Sequence, residues 1–158
     1  MDELDRLILQ TLQEDGRVPF TQIAKQAGVS ETTIRGRYRN LVDRGIVRTV
    51  GIVDPLALGF QAPALMGLCV EPDKIDQVAR EIAKLPEVSY LVMTLGSRDL
   101  MVEVFCRDLQ HLTELITRKI GKIPGVRSTE TLTIAHSYKL SYRWSPLLDA
   151  GDPSAKPA

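Results

Sequence analysis

Arginines are concentrated in one short part of the chain, where their guanidinium groups could bind nucleic acid. Residues 35–48 hold five of the eight basic groups in the first 50 positions, and Asp43 is the only acid among them. Over the whole 158 residues, 20 basic groups balance 20 acidic ones. A protein that coats nucleic acid or membrane through its overall charge is therefore excluded, whereas a local basic patch is not.

The spacing of these arginines decides which of them could act together. On a helix, alternate positions diverge by about 200°, so Arg35 and Arg39 share a face while Arg37 points toward a phosphate or an acidic partner. Small polar residues before Arg35 suit base edges, and Arg44 and Arg48 suit phosphates. The alternative is that the arginines only solvate a helical bundle. The predicted DNA-contacting residues are Ser30, Thr32, Thr33, Arg35, Arg37, Arg39, Arg44 and Arg48.

A second group of charges lies in a predicted turn, Gly96-Ser97-Arg98-Asp99, between two apolar segments. A carboxylate such as Asp99 can hold an ammonium group, and Arg98 can hold a carboxylate. The turn could therefore grip both ends of an amino acid. Alternatively, the two side chains pair with each other or with another subunit.

The sequence offers little for catalysis or metal binding. It contains no Ser/His/Asp set, no paired-carboxylate motif and no glycine-rich phosphate loop. His111, His136, Cys69 and Cys106 form no cluster with zinc-ligand spacing. We expect no enzymatic activity, no metal and no cofactor, with both thiols buried in a reducing cytosol.

Composition and hydropathy indicate a cytoplasmic protein. Hydrophobic residues make up 44% and charged residues 25% of the chain, as in ordinary globular proteins. No apolar stretch reaches the roughly 18 residues of a membrane span, and the acidic, amphipathic start lacks a secretory signal. We therefore expect no membrane partner.

Helical spacing of apolar residues organises the first 50 residues. Gly28 and Ser30 make a turn between the second and third predicted helices, and Ser30 is a good N-cap for the third. Gly45 ends that helix, and an apolar extended stretch follows as a wing. The pattern predicts a winged helix-turn-helix domain over residues 1–50, followed by a linker over residues 51–63. The predicted helices are Glu3–Glu14, Thr21–Ala27 and Glu31–Arg44.

Residues 64–145 alternate between strand-like and helix-like segments. Their order, βαββαβ, predicts a ferredoxin-like domain, which places the whole chain in the α+β class. We expect a disordered tail over residues 146–158. The predicted elements are strands at Ala64–Glu71, Val88–Leu95, Leu100–Cys106 and Arg127–Ala135, and helices at Lys74–Leu85 and Asp108–Ile120.

These strands carry apolar residues on both faces. In the first strand, Met66 and Leu68 lie on one face, and Leu65 and Cys69 lie on the other. Two helices can cover only one face of the sheet. We therefore expect the second face to be buried by an identical sheet from another subunit, which makes this domain a dimerisation module.

The order of short motifs resembles the Lrp/AsnC, or feast/famine, family of transcription regulators from residue 2 to residue 139. The strongest match is the opening, and a Gly-x-x-Asp turn matches near the middle of the second domain. The matching motifs are Leu4-Asp5-Arg6-Leu7-Ile8-Leu9, Asp15-Gly16-Arg17, Ile23-Ala24, Gly28-Val29-Ser30, Thr33-Ile34, Arg37, Leu41, Gly45-Ile46-Val47, Asp54-Pro55, Leu58-Gly59-Phe60, Gly96, Asp99-Leu100, Pro124-Gly125-Val126, Thr129 and Thr131.

The resemblance implies a sequence-specific regulator that binds double-stranded DNA with its N-terminal domain. It also implies a C-terminal effector and oligomerisation domain, with dimers that assemble into larger rings such as octamers. An amino acid would bind between dimers, near the Gly-x-x-Asp turn and the last strand. The implied effector-binding residues are Gly96, Ser97, Arg98, Asp99, Thr129 and Thr131.

Three residues depart from the family pattern, and they bear on operator sequence and affinity. Tyr38 replaces the usual aliphatic residue, Gly36 lies in mid-helix, and Asn40 stands where a basic residue is frequent. Two other functions stay open: an orphan regulator or ligand-binding module without effector-controlled DNA binding, and a relative that decarboxylates a tetrapyrrole. The missing histidine after Val88 disfavours the decarboxylase.

Overall fold

The computed structural model of the chain describes residues 1–141 and divides them into two units. The first comprises Met1–Ile52 with residues 139–141, and the second comprises Val53–Tyr138. The sequence placed residues 139–145 in the second domain, whereas 139–141 are grouped with the first unit. Residues 142–145 and the predicted tail, 146–158, lie outside the described residues.

Three helices form the first unit: α1 (Glu3–Glu14), α2 (Phe20–Ala27) and α3 (Glu31–Asp43). Their bounds follow the predicted ones within one residue, because apolar side chains recur at helical spacing and strong caps mark the ends. Asp2 caps α1 by accepting a hydrogen bond from the backbone N–H of Asp5. The buried apolar side chains that hold the three helices together are Ile8, Leu9, Ile23, Ala24, Ile34 and Leu41.

A tight turn joins α2 to α3 and makes the pair a helix-turn-helix. Gly28 ends α2 in the left-handed region at φ 67°, where a residue without Cβ is favoured. Two residues later, Ser30 begins α3 by accepting a hydrogen bond from the backbone N–H of Thr33 at 3.1 Å. The turn therefore determines the direction in which α3 leaves the core.

The predicted wing after Gly45 does not form a strand. Residues 47–53 have no regular secondary structure, and none of them pairs as a strand with another segment among the described residues. Val50, Ile52 and Val53 are each more than 60% exposed. A strand needs a partner for its backbone hydrogen bonds, and an apolar pattern alone does not supply one.

The second unit contains one antiparallel sheet with strand order β2-β3-β1-β4. This order and the βαββαβ sequence give the predicted ferredoxin-like arrangement. Ala62 and Pro63, which the sequence assigned to the linker, lie in the first strand opposite Cys106 and Phe105. The elements are β1 (Ala62–Val70), a 3-10 turn (Pro72–Lys74), α4 (Ile75–Ile82), β2 (Val88–Met93), β3 (Leu100–Cys106), α5 (Leu109–Glu114) and β4 (Val126–Thr133).

The predicted helix Asp108–Ile120 is irregular in its second half. After α5, the backbone widens into a π-helical turn at Leu115–Lys119 and then tightens into a 3-10 turn at Ile120–Lys122. A Cβ at Gly121 would lie only 2.8 Å from the carbonyl oxygen of Ile116. The irregular stretch thus depends on close backbone packing that helical periodicity does not encode.

The π-helical turn carries a lysine to a buried carboxylate. Lys119 Nζ donates to Glu87 Oε1 at 2.5 Å, and His111 Nε2 lies 3.1 Å from the same oxygen. Burial raises the pKa of Glu87, but these hydrogen bonds outweigh it and hold the pKa below its ordinary value. The carboxylate therefore stays ionised and ties the α5 region to the residue before β2.

The two faces of the sheet have different environments. Ala64, Met66 and Leu68 of β1 point to the face that α4 and the α5 region cover, where they are fully buried. On the opposite face, which we call the open face, Leu65, Tyr90 and Leu132 are 39%, 60% and 58% exposed. The protomer therefore leaves apolar side chains uncovered on the open face, as the sequence pattern implied.

Candidate DNA-binding and effector sites

The outward surface of α3 carries most of the predicted DNA-contacting residues. Ile34 and Leu41 bury the inner face of the helix, which leaves Thr32, Arg35 and Arg39 exposed. These three line an open groove that continues past Gly36 to the end of the helix. Ser30 and Thr33 are also exposed, and their hydroxyl oxygens lie 2.8 Å apart at the helix cap.

Arg35 is held by two neighbours that the sequence analysis did not identify. Its Nε donates to Glu31 Oε1 at 2.7 Å, and its Nη2 pairs with the same oxygen. The guanidinium carbon lies 5.4 Å from the centre of the Phe20 ring. The Glu31 contact could have been inferred from i,i+4 spacing, whereas the Phe20 contact joins two helices.

Arg37 binds an acidic partner within the protein. Its Nη1 donates to Asp2 Oδ2 at 2.6 Å and lies 3.4 Å from Asp5 Oδ1. The backbone N–H of Asp5, together with the Arg37 guanidinium, holds the pKa of Asp2 below its ordinary value. Of the two alternatives for Arg37, the structure therefore favours a tie between α3 and the start of α1 over a phosphate contact.

Three other arginines keep their charge available to DNA. Arg44 follows α3 as its C-cap, and its Nη1 lies 3.4 Å from the amide oxygen of Asn40. Arg39 and Arg48 are exposed. No acidic partner is found for any of the three within residues 1–141. Exposed, uncompensated guanidinium groups are the usual source of DNA backbone contacts.

Asp99 anchors the turn between β2 and β3 to the end of β1. Its Oδ2 accepts a hydrogen bond from the backbone N–H of Val70 at 2.8 Å, and its own N–H donates to the carbonyl of Leu68 at 2.9 Å. Thr94 Oγ1 donates to the carbonyl of Arg98 at 2.6 Å. Asp99 thus has a structural role whether or not it also holds a ligand.

Arg98 crosses the open face of the sheet and pairs with Glu130 of β4. Both its Nε and Nη2 donate to Glu130 Oε2, and its Nη1 lies 3.4 Å from Cys69 Sγ. The hydrogen bond to Glu130 raises the pKa of Arg98. A Cβ at Gly67 would lie 2.8 Å from Arg98 Cγ, so the path of this side chain requires glycine.

The register of β4 separates the predicted effector residues into two groups. Thr129 pairs with Leu68 and Thr131 pairs with Met66, so both threonines lie on the helix-covered face. Arg98 lies on the open face with Glu130. Within one protomer, the structure therefore brings Gly96, Ser97, Arg98 and Asp99 together but does not bring Thr129 and Thr131 to the Arg98 side chain.

Two family models match this chain. A model of the AsnC-type helix-turn-helix domain matches residues 1–42, and a model of the Lrp/AsnC ligand binding domain matches residues 64–144. The chain belongs to the Lrp/AsnC family. It is therefore a helix-turn-helix transcriptional regulator with a ligand-binding domain.

Relatives and solved structures agree with this assignment. An HTH-type transcriptional regulator of Pyrococcus abyssi is 40% identical over 143 residues, covering 90% of each chain. The regulator LrpA of Pyrococcus horikoshii is 37% identical over 127 residues, covering 80% of this chain and 90% of LrpA. The structure of Escherichia coli AsnC matches with a TM-score of 0.83 and 30% identity, over 89% of this chain and 95% of that one.

A further solved structure shares the fold at lower identity. A transcriptional regulator of Neisseria meningitidis, determined as a complex with L-Met, matches with a TM-score of 0.83 and 23% identity. The match covers 90% of this chain and 94% of the Neisseria meningitidis chain. At this identity, the match to the present Lrp/AsnC protein concerns the fold alone.

Two features of the described residues bear on the chemistry of this Lrp/AsnC protein. Within residues 1–141, His, Cys, Asp and Glu side chains do not gather in threes as a metal ion would require. None of the helices in the same range has the length and apolar composition needed to cross a membrane.

We predict that Arg37 and Arg44 respond differently to replacement by alanine. Arg37→Ala removes the tie to Asp2 and lowers the thermal unfolding midpoint of the first unit, with little change in the salt dependence of DNA binding. Arg44→Ala leaves the midpoint unchanged but flattens the log–log salt slope by about one, because one phosphate contact is lost. Calorimetric unfolding and fluorescence anisotropy titrations measure the two effects. Equal salt slopes for both variants would contradict these assignments.

Proposed function

We propose that α3 reads the major groove of a specific operator and that an amino-acid-like effector, bound at the Gly96–Asp99 turn, modulates this binding in the cytoplasm. The observation that carries the DNA part is the uncovered outer face of α3. Its inner face is buried by the core, so Thr32, Arg35 and Arg39 are left where base edges can meet them. Arg44 and Arg48 supply phosphate contacts that position the helix.

A dimer is the assembly that best fits the open face of the sheet. Leu65 and Leu132 are paired, exposed apolar side chains on adjacent strands, and Tyr90 lies on the same face beyond Glu103 of β3. Exposed apolar side chains gathered on one face are typical of an interface. A two-fold dimer presents the same face on both subunits. Two subunits then supply two copies of α3, which suits an operator with two related half-sites. Further association of dimers into octamers follows the resemblance described above.

Leu65→Asp is expected to convert the dimer into a monomer, because it places an unpaired charge in the proposed interface. Lys25→Asp, an exposed position on α2, is the matched control and should leave the dimer intact. Sedimentation equilibrium measures both. A wild-type protein that is monomeric at every concentration tested would contradict the proposed interface.

The operator is expected to be pseudo-palindromic. Selection from random-sequence DNA should recover two inverted half-sites whose centres lie about one helical turn apart, or a multiple of it, because the two copies of α3 are related by a two-fold axis. Recovery of a single unrepeated motif would rule out readout by a symmetric dimer, and recovery of no motif would rule out sequence-specific binding by the chain.

The charged turn supports an amino acid as the effector class. Asp99 offers a carboxylate for an ammonium group, and Arg98 offers a guanidinium for a carboxylate. The Neisseria meningitidis regulator was solved with L-Met, which makes amino acids the first probes to use. Thr129 and Thr131 lie on the other face of the sheet. They can therefore join this site only if the effector reaches around the sheet edge or if the threonines come from another subunit.

A second reading, an orphan regulator, is favoured by the contacts these charges already make. Arg98 pairs with Glu130, and Asp99 accepts the backbone N–H of Val70. Both groups therefore have partners without any ligand. In this reading the turn is a structural clasp, and DNA binding does not respond to amino acids.

Asp99→Asn separates the two readings. The amide oxygen of asparagine can still accept the Val70 N–H, so the turn keeps its anchor while the negative charge is lost. If an amino acid binds there, wild-type protein should give heat with at least one of the twenty amino acids in calorimetry, and Asp99→Asn should not. The control, Asp99→Ala, should also lower the unfolding midpoint because Val70 loses its acceptor. No heat from any amino acid with wild-type protein establishes the orphan reading.

A further inference from the structure

The side chain of Arg35 is constrained on one edge and one face. Glu31 Oε1 accepts the Nε and Nη2 hydrogens, and the guanidinium carbon lies over the Phe20 ring, 5.4 Å from its centre. An arginine has five N–H donors in a planar fork. The edge formed by Nη1 and the second Nη2 hydrogen is therefore the one that remains for a ligand, and the side chain is 64% exposed.

Phe20 is itself supported by the core. Its ring centre lies 5.1 Å from that of Tyr38, and the Tyr38 hydroxyl lies 3.1 Å from Thr49 Oγ1. Both rings pack against the buried cluster of the first unit. Tyr38, one of the departures from the family pattern, thus extends an aromatic support under Arg35.

The groove beside Arg35 is open. A Cβ at Gly36 would meet no atom within 4 Å, and Arg39 lies farther along the same groove. Because Gly36 has no side chain, nothing projects from this position into the groove on α3. The edge of a base can therefore approach the constrained guanidinium from this side.

We infer that Glu31 and Phe20 hold Arg35 as a reader of guanine and that the Glu31 carboxylate makes it select a base edge over a phosphate. This inference rests on the proposed entry of α3 into the major groove. Guanine presents two acceptors, O6 and N7, that match two parallel N–H groups of one arginine edge. A phosphate would also match that edge, but it carries a negative charge that Glu31 repels.

The charge of the pair strengthens this distinction. Arg35 and Glu31 together are neutral, so they contribute little to the counterion release that drives non-specific binding. Glu31 is thus a positioning residue. It lowers the affinity for DNA of any sequence, and it leaves Arg35 able to discriminate guanine from the other bases at one base pair. A free arginine at position 35 would bind phosphates and bases alike.

Glu31→Gln tests the role of the carboxylate. We expect the variant to bind random-sequence DNA more tightly, with a log–log salt slope steeper by about 0.9, because Arg35 gains an uncompensated charge. Substitution of 7-deazaguanine for the guanine selected by wild-type protein removes the N7 acceptor but keeps O6. It should therefore weaken wild-type binding by roughly 2- to 12-fold, which corresponds to half the free energy of one bidentate contact. The same substitution should weaken Glu31→Gln by a much smaller factor and should have no effect on Arg35→Ala.

Asp43→Asn is the matched control. Asp43 is an exposed acid on the same helix and lines the same groove, and it makes no ion pair within the described chain. Its replacement changes the net charge as Glu31→Gln does, so random-sequence affinity should rise, but the 7-deazaguanine penalty should stay at the wild-type value. Circular dichroism melts of all variants establish that each one is folded.

The outcomes separate this inference from the proposed function. Operator binding by wild-type protein with no 7-deazaguanine penalty at any position overturns the assignment of Arg35 to guanine. A wild-type penalty that Glu31→Gln retains in full overturns the role of Glu31. The absence of any sequence preference in wild-type protein overturns the proposed function itself, and the inference falls with it.

Discussion

Burial of one face of α3 is the constraint on which the proposed DNA-binding surface depends. Ile34 and Leu41 are fully buried against α1 and α2, and a helix that buries one stripe must expose the opposite one. The cap at Ser30 fixes where that stripe begins, and the Arg37–Asp2 pair ties the helix to the start of α1. The exposed polar residues therefore stand at fixed positions on a rigid element, as groove recognition requires.

In the second unit, too, burial of one face of an element exposes the other, but here the element is a β-sheet, in which side chains alternate between the two faces. Side chains alternate across a strand, so burying Met66 and Leu68 under the helices necessarily turns Leu65 and Cys69 to the open face. The same alternation places Glu130 on one face of β4 and Thr129 and Thr131 on the other, and Arg98 in the preceding turn reaches the Glu130 face. Under the proposed function, an effector that touches both groups would have to reach around the sheet edge or contact two subunits, and in the second case its binding would be coupled to assembly.

In this Lrp/AsnC protein, individual charged side chains matter more than the net charge. The chain has no net charge, and several of its arginines are paired with carboxylates inside the protomer. Arg37 supports the fold, Arg98 spans the sheet, and Arg35 is flanked by Glu31. On and just after α3, Arg39, Arg44 and Arg48 have no carboxylate partner among residues 1–141, so their charge stays available to DNA phosphates.

The sequence by itself determined the helix bounds, the helix-turn-helix, the βαββαβ order and the family, because each depends on local periodicity, caps and short motifs. It predicted a regular helix over Asp108–Ile120, whose second half is π-helical and 3-10. It also placed a wing after Gly45 and grouped Thr129 and Thr131 with Arg98. Only the tertiary structure decided those points, together with the partners of Arg37, Phe20 and Glu130. Each depends on strand register or on contacts between residues far apart in the chain, and a single sequence carries no signal for which distant side chains will meet.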